Sequence, residues 1–473
     1  MQVQYSNRKL EKLASDGKER LKKLGTDGVG RFEARISEFK AANCLEDLRN
    51  LPQARIHELK GNRKKQFSAD LCHPYRLISL PGTTPSHGKM TADGIGNASP
   101  SLIYKKSPTP MSETNPIEDF ATPPGVTLQD SLDALGMSQA ELSERAGISD
   151  KTINRIIKGI DPVTHSTALA LEKVLQVPAG FWLKLESNYR EHLARQVEAR
   201  TLAGFADWAR RFPYPDMIRK GYVTAARSAE EKAAVLLRFF GVATPDRWQA
   251  VYQDMELELS FRKTEGTSDR MPVLSAWLRR GEILAQSAVG GEFDATTFSQ
   301  NLQTIRSFTR EVPSTFIPKM KTLCAEAGVI FELVPELPGL GVSGVMRWFH
   351  GRPLIQQSLL FKTNDNFWFT FFHEAKHVLQ MRKKQIFIEG GKSQPEDIKR
   401  EEEANRFAGE ILIPGDAWET FVRMSHFESE RIRTFARSIA IHPGIVAGRL
   451  LKEGLVDYSK PQAKLRAKFE WAA

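Results

Sequence analysis

The residues of this chain best suited to chemistry are His373 and His377, set four apart in the run His373-Glu374-Ala375-Lys376-His377. On a helix, positions i and i+4 stand one turn apart on the same face, so both imidazoles can reach one cation. Glu374 projects beside them and is the natural general base for a water activated by that cation. Phe369 to Gln380 contains neither Gly nor Pro, so nothing interrupts the helix this spacing requires. Two imidazoles leave a zinc ion short of ligands, because catalytic zinc usually takes three protein ligands. A second helical stretch, Glu401 to Pro414, offers acids, with Ala404, Phe407, Ala408, Ile411 and Leu412 as its predicted buried stripe. Glu401 is preferred, since Asn405 can support the site from the same face. Glu402 and Glu403 stay open, although a solvated acidic face near a helix start suits Glu402 better. The aromatic run Phe367-Trp368-Phe369-Thr370-Phe371-Phe372 reads as core packing rather than a substrate wall, and the lone His350 and His442 are not counted as ligands.

Residues 311 to 457 resemble the ImmA/IrrE family of metallopeptidases. The resemblance is carried by Phe369-Thr370-Phe371-Phe372-His373-Glu374, by Glu401 through Pro414, by Gly341-Val342-Ser343-Gly344 with Arg347-Trp348, and by the tail Ile441 through Leu450. It implies a zincin-like α+β domain in which His373, His377 and Glu401 bind zinc, with manganese as the alternative ion, and Glu374 activates water. It further implies a protein substrate, a repressor or antitoxin. Lys376 departs from the family pattern, where a small residue is common.

A second constellation lies at Met137 to Gly159. Ser138 caps a helix with Glu141 at the capping-box position, Ala146-Gly147-Ile148 makes a turn, and Ser149 caps the next helix. Ala140, Leu142, Ala146, Ile148, Ile153 and Ile156 are expected to turn inward. Ser149, Lys151, Thr152, Asn154, Arg155 and Lys158 are then left outward on the second helix, residue types that meet base edges and phosphates of double-stranded DNA. Gln139 is a candidate backbone contact. The stretch resembles the Cro/repressor-type helix-turn-helix of HigA antitoxins, through Thr167-Ala168-Leu169-Ala170-Leu171-Glu172-Lys173-Val174-Leu175 and Phe181-Trp182-Leu183. That resemblance implies an operator as partner and a homodimer, because paired half-sites demand one.

The amino-terminal segment is basic. Residues 1 to 110 hold 20 Lys and Arg against 11 Asp and Glu, +9 of the chain's net +10, which points to a polyanionic partner. Helical spacing of Leu10, Leu13, Leu21, Leu24, Phe32, Ile36 and Phe39 is followed by short β-rich runs at Arg55–Leu59, Gln66–Leu71 and Tyr75–Ile78. Residues 5 to 81 resemble the HigB/RelE-like toxins, ribosome-dependent ribonucleases. The resemblance rests on Tyr5 through Leu13, Leu45 through Pro52, His57 through Ser68, and His73-Pro74-Tyr75-Arg76-Leu77-Ile78. It makes Arg55, His57, Lys60, Arg63 and Arg76 candidates for RNA binding, with RNA or the ribosome as partner. The family continues into one further strand, whereas residues 82 to 115 are rich in Gly, Pro and Ser, with Leu102-Ile103-Tyr104 as the one remnant strand. The segment therefore reads as an incomplete toxin.

The elements that must position these sites give a multidomain chain, mainly α with α+β parts. Its expected divisions are a small RelE-like α+β segment (1–105), a linker (106–124), an all-α helix-turn-helix domain (125–195), a helical connector without evident chemistry (196–310), the peptidase-like domain (311–457) and a tail (458–473). Ordinary globular proportions, 41% hydrophobic and 26% charged, exclude collagen-like and wholly disordered chains. No 18-residue apolar run exists, the first thirty residues carry charge throughout, and three cysteines form no CxxC pair, so a cytoplasmic protein without membrane association is expected. The function these readings imply is a toxin–antitoxin-type transcriptional regulator carrying a zinc metalloendopeptidase. The alternatives are a non-catalytic operon repressor with a structural metal site and an RNA-cleaving toxin restrained by its fused antitoxin.

Overall fold

Asp16 marks a turn between two helices: its carboxylate accepts from Lys18 N at 3.0 Å and Glu19 N at 3.2 Å, ending helix Arg8–Ser15 and opening helix Gly17–Ala41. The computed structural model describes residues 3–5, 8–60, 66–70, 75–81, 90–97, 120, 122–260, 270–380, 395–424 and 426–471. They form two compact units, divided between Arg200 and Thr201.

In the first unit five strands form one sheet: β1 (Val3–Tyr5), β2 (His57–Glu58), β3 (Phe67–Asp70), β4 (Tyr75–Pro81) and β5 (Met90–Asn97), in the order β1-β5-β4-β3-β2. The β1–β5 pair is parallel and the others antiparallel. β5 corrects the sequence reading, which placed no strand between Gly82 and Ser101. Gly94 and Gly96 weaken the β signal, and the register slips between Ile78 and Ser79, whose partners are Gly94 and Ala92, so simple alternation is broken. Leu102-Ile103-Tyr104 lies outside the described residues.

The helical hairpin and the helix-turn-helix helices share one core: Phe32, Ile36, Phe39, Leu48 and Leu51 join Leu128, Leu132, Leu171, Phe181 and Trp182. Within it Arg35 and Glu38 are 2% and 0% exposed and ion-paired. Gln53 Nε2 donates to Glu38 Oε1 at 3.2 Å, and Ser131 Oγ donates to Gln53 Oε1 at 3.0 Å. Asp130, 3.6 Å from Arg35 Nη2, has its carboxyl raised above the usual range by burial. A buried polar chain of this kind is costly unless satisfied, so it fixes how helix Pro124–Leu135 meets the hairpin.

The second unit contains the stretch read as a connector. Trp208, Phe212, Phe240, Trp248 and Tyr252 pack ring against ring, and each such burial contributes roughly 1.5–3 kcal/mol. A three-stranded sheet follows, β6 (Ile330–Leu333), β7 (Gly344–Phe349) and β8 (Arg352–Gln357), in the order β6-β8-β7 with β7 antiparallel at the edge. Strand alternation splits its side chains. Ile330 and Leu354 join Ala285 of helix Met271–Ala285, whereas Phe331, Met346 and Ile355 join the aromatics of helix Asn364–Gln380. Trp277 Nε1 donates to Val334 O at 3.1 Å, so residues 271–285 form a second layer behind the sheet.

The chain end closes over the same helix. Asn364 N donates to Ala467 O at 2.9 Å and Phe469 N to Lys362 O at 2.9 Å, while Phe469 packs on Phe316 and Phe367. Helix Pro443–Lys452 is capped by His442, whose Nδ1 accepts from Gly444 N at 3.0 Å and lies 2.7 Å from Asn364 Nδ2. Burial, with Arg433 nearby, holds this imidazole below its ordinary pKa of 6.5. Protonation is then easier in the unfolded chain than in the folded one, so stability is full above about pH 6.5 and is lost as pH falls through the depressed value. His442→Asn keeps a capping oxygen without the titration. Thermal melts of the variant should lose the part of the acid-side decline that the parent shows below pH 6.5.

Candidate functional site

The histidine helix, Asn364–Gln380, is built by the aromatic run: Phe367, Trp368, Phe371 and Phe372 are buried and Phe369 is half-buried, as core packing predicts. With that face inward, His373 and His377 emerge one turn apart, their ring centroids 4.8 Å from each other. The glutamate helix, Pro395–Leu412, buries Ala404, Ala408 and Leu412 and half-buries Phe407 and Ile411, the expected stripe. Its small residues let the two helices approach. Gln380 Nε2 donates across them to Glu403 Oε2 at 3.0 Å, which places Glu403 away from the ring pair; Glu402 is exposed.

Glu401 is the acid that arrives. Its Oε1 lies 3.2 Å from His377 Nε2, its Oε2 3.3 Å from His373 Nε2, and the two Nε2 atoms are 3.1 Å apart. Among the described residues these three form the one His/Cys/Asp/Glu group whose ligand atoms converge, all within 4.8 Å. His373 Nδ1 donates to Asn405 Oδ1 at 3.2 Å, which leaves Nε2 as a lone-pair donor toward the cluster. The donor set fits zinc, since ligands ~2.0–2.1 Å from a tetrahedral ion stand ~3.3 Å apart. Glu374, 3% exposed, faces the same cleft. Lys376 sets its ammonium 5.6 Å over the Phe407 ring. His350 turns with φ +48° in the β7–β8 hairpin, and His442 is spent as a helix cap.

The cleft has a volume of about 840 Å³ and runs between β7, both helices and helix Pro443–Lys452. Sequence reasoning missed most of its cationic wall. Arg449 is tied to Glu453 at 2.8 Å and stacked on Trp418, and Arg466 stands 3.6 Å from Asp365. Lys452 lies 4.3 Å over the Phe369 ring, and Arg406 is exposed on the glutamate helix. No short motif links these positions, which come from three elements.

In the helix-turn-helix, Ser138 Oγ accepts from Glu141 N at 3.1 Å, Gly147 turns with φ +67°, and Ser149 Oγ accepts from Thr152 N at 3.2 Å. Leu142, Ile153 and Ile156 are buried and Ala146 and Ile148 half-buried, but Ala140 is exposed, correcting its inward assignment: helical spacing back from Leu142 puts it on the opposite face. Gln139, Lys151, Asn154, Arg155 and Lys158 share one shallow concave face, with Lys151 and Lys158 exposed. Asn154 Nδ2 donates to Gln139 Oε1 at 3.4 Å. Ser149 and Thr152 sit 2.8 Å apart at the cap. Arg155 is held by Asp161, a residue the sequence reading did not single out.

In the amino-terminal segment Arg55, His57 and Lys60 are exposed around β2, and His57 Nδ1 donates to Arg55 O at 2.9 Å. Arg76 lies in β4 opposite Asp70 and Gly96. Arg63 falls outside the described residues.

Comparison with known families agrees with two of these regions. Residues 128–182 match the family described as helix-turn-helix, and residues 352–438 match the peptidase family described as IrrE N-terminal-like domain. No curated protein and no solved structure matches the chain. The chain thus carries a helix-turn-helix of the DNA-binding kind and a region similar to IrrE-like peptidases, and among its described residues no helix is long and apolar enough to cross a membrane.

Gly344 opens β7 directly against the histidine helix. A Cβ there would stand 2.6 Å from Thr370 Cγ2 and 3.0 Å from Glu374 Cγ. Gly344→Val should therefore destabilise the second unit by about 1–3 kcal/mol, read as a lower denaturant midpoint at unchanged slope.

Proposed function

We propose that this protein is a DNA-binding regulator of toxin–antitoxin type whose carboxy-terminal region is a zinc-dependent metalloendopeptidase. The observation that carries the reading is the meeting of His373, His377 and Glu401, with Glu374 in the same cleft. His373, His377 and Glu401 would hold the ion, zinc by donor chemistry with manganese as the alternative. Such an ion polarises a peptide carbonyl and lowers the pKa of water. Glu374 takes the proton from the attacking water and delivers it to the departing amine, work for which its buried position beside the ligands suits it. Asn405 fixes the His373 ring, and the substrate would be a polypeptide bound in the cleft beside β7, a repressor or antitoxin by the family resemblance. The second helix of the helix-turn-helix, Asp150–Ile157, would enter the major groove of an operator, with a homodimer reading paired half-sites.

Residues 1–105 are on this reading a toxin-derived segment. The core it shares with residues 125–195 favours a second reading, in which a fused antitoxin restrains a ribosome-directed ribonuclease through Arg55, His57, Lys60, Arg63 and Arg76. Residues 196–310 then serve the peptidase-like region as scaffold.

Glu374→Gln should retain the metal content of the parent and lower cleavage of a co-encoded repressor by about 10²–10⁴-fold. Glu401→Ala should lose metal as well as cleavage, measured by elemental analysis of the purified chain. Undiminished cleavage by Glu374→Gln rejects the mechanism, and full metal content in Glu401→Ala rejects the ligand assignment.

A further inference from the structure

Arg155 does not extend freely from the helix Asp150–Ile157. Its Nε and Nη2 both donate to the Asp161 carboxylate, at 2.7 Å to Oδ2 and 2.7 Å to Oδ1. The loop after the helix makes this contact. Gly159 turns with φ +69°, a conformation that favours glycine, and Ile160 N and Asp161 N fold back onto Arg155 O at 2.9 and 3.3 Å. The two side chains remain 43% and 33% exposed, so an ion pair of this kind contributes little to stability. Its consequence is geometric: it fixes the plane of the guanidinium on a face that also carries Gln139, Asp150, Lys151, Asn154 and Lys158.

A guanidinium offers two forks of parallel N–H donors. Asp161 occupies the side fork, Nε with Nη2. The end fork, Nη1 with the second Nη2 hydrogen, is left pointing along the side chain. That fork matches the O6 and N7 acceptors of guanine in the major groove. It also matches a phosphate, but the adjacent carboxylate cancels the cation's charge at close range. A neutral pair gains little from a phosphodiester and keeps its hydrogen-bond geometry toward an uncharged base edge.

We propose that Asp161 is a specificity-determining residue: it holds Arg155 side-on so that its end fork reads one guanine in each operator half-site. The inference rests on the DNA-binding reading of the helix-turn-helix and names what that face recognises. Asp161 touches no DNA itself; it acts by positioning Arg155.

Selection from a pool of randomised duplex DNA with the full-length protein tests this. The parent should enrich sites with one guanine per half-site, preferred over other bases on the order of 10- to 100-fold. Arg155→Ala should abolish the preference at that base pair and leave the rest of the consensus. Asp161→Ala should blunt the same preference while steepening the salt dependence, because the released cation can then meet phosphate. Melting temperatures of both variants serve as the check on folding, and Asp161→Asn as a second variant that keeps the side-chain volume. The inference is overturned if Arg155→Ala weakens all sequences equally with a shallower salt slope. It is equally overturned if both Asp161 variants bind more tightly with the base preference intact, which would make Asp161 a mask. Failure of the parent to enrich any sequence at low salt is a separate result, and it rejects the DNA-binding reading along with the inference.

Discussion

The second unit depends on one convergence: a carboxylate on helix Pro395–Leu412 must meet two imidazoles on helix Asn364–Gln380. Three lone-pair donors 3.1–3.3 Å apart tolerate very little sliding of one helix along the other. A shift of one residue, ~1.5 Å along the axis and ~100° around it, would carry Glu401 off the shared face. The surroundings of the pair follow from that demand. Ala404 and Ala408 keep the separation short, and Gln380 to Glu403 ties the exposed side. Arg306 donates to the carbonyls of Ile411, Leu412 and Ile439, so the end of the glutamate helix is pinned to a third element. The aromatic face of the histidine helix, packed on Phe316 and Phe331, fixes its rotation. A site carried on rigid elements holds its geometry better than one carried on loops.

The first unit uses buried polarity to the same end. Arg35, Glu38, Gln53 and Ser131 form a chain from the amino-terminal hairpin to helix Pro124–Leu135. Apolar burial alone would tolerate several arrangements of these helices, whereas a buried charge pair accepts only those that keep every partner. The amino-terminal segment and the helices of the helix-turn-helix are therefore one folding problem. Arg20 behaves likewise: 2% exposed, it bonds Glu33 and Leu13 O and lies over the Phe120 ring.

Legibility differed by the range of the interaction. The histidine pair, the preference for Glu401, the supporting Asn405 and the capped turn at Ser149 follow from spacing within single helices, where the period of 3.6 does the sorting. Strand β5 escaped because glycines and a slipped register hide alternation, and helix Met271–Ala285 gave no hint that it backs the sheet. The charge count is untouched by burial: Arg20 and Arg35 are sealed against Glu33 and Glu38, acids already subtracted, so the excess of +9 stays with the other residues of the segment. The cleft's cations escaped for another reason, since Arg406, Arg449 and Arg466 come together only through tertiary packing.

The two candidate sites share a device. At each, an acid from outside the motif helix settles the orientation of basic side chains: Glu401 for the two imidazoles, Asp161 for Arg155. Neither contact can be valued by its contribution to folding, because partly exposed pairs contribute little and a carboxylate drawn against imidazoles loses solvation. Their worth lies in entropy removed beforehand. A side chain already fixed in its working rotamer has less freedom to lose when a cation or a base edge arrives, so more of the contact energy appears as binding. That argument explains why the residues with recognisable chemistry sit in short motifs while the residues that aim them are supplied by a neighbouring element, one legible by its own helical spacing (Glu401) and one not (Asp161).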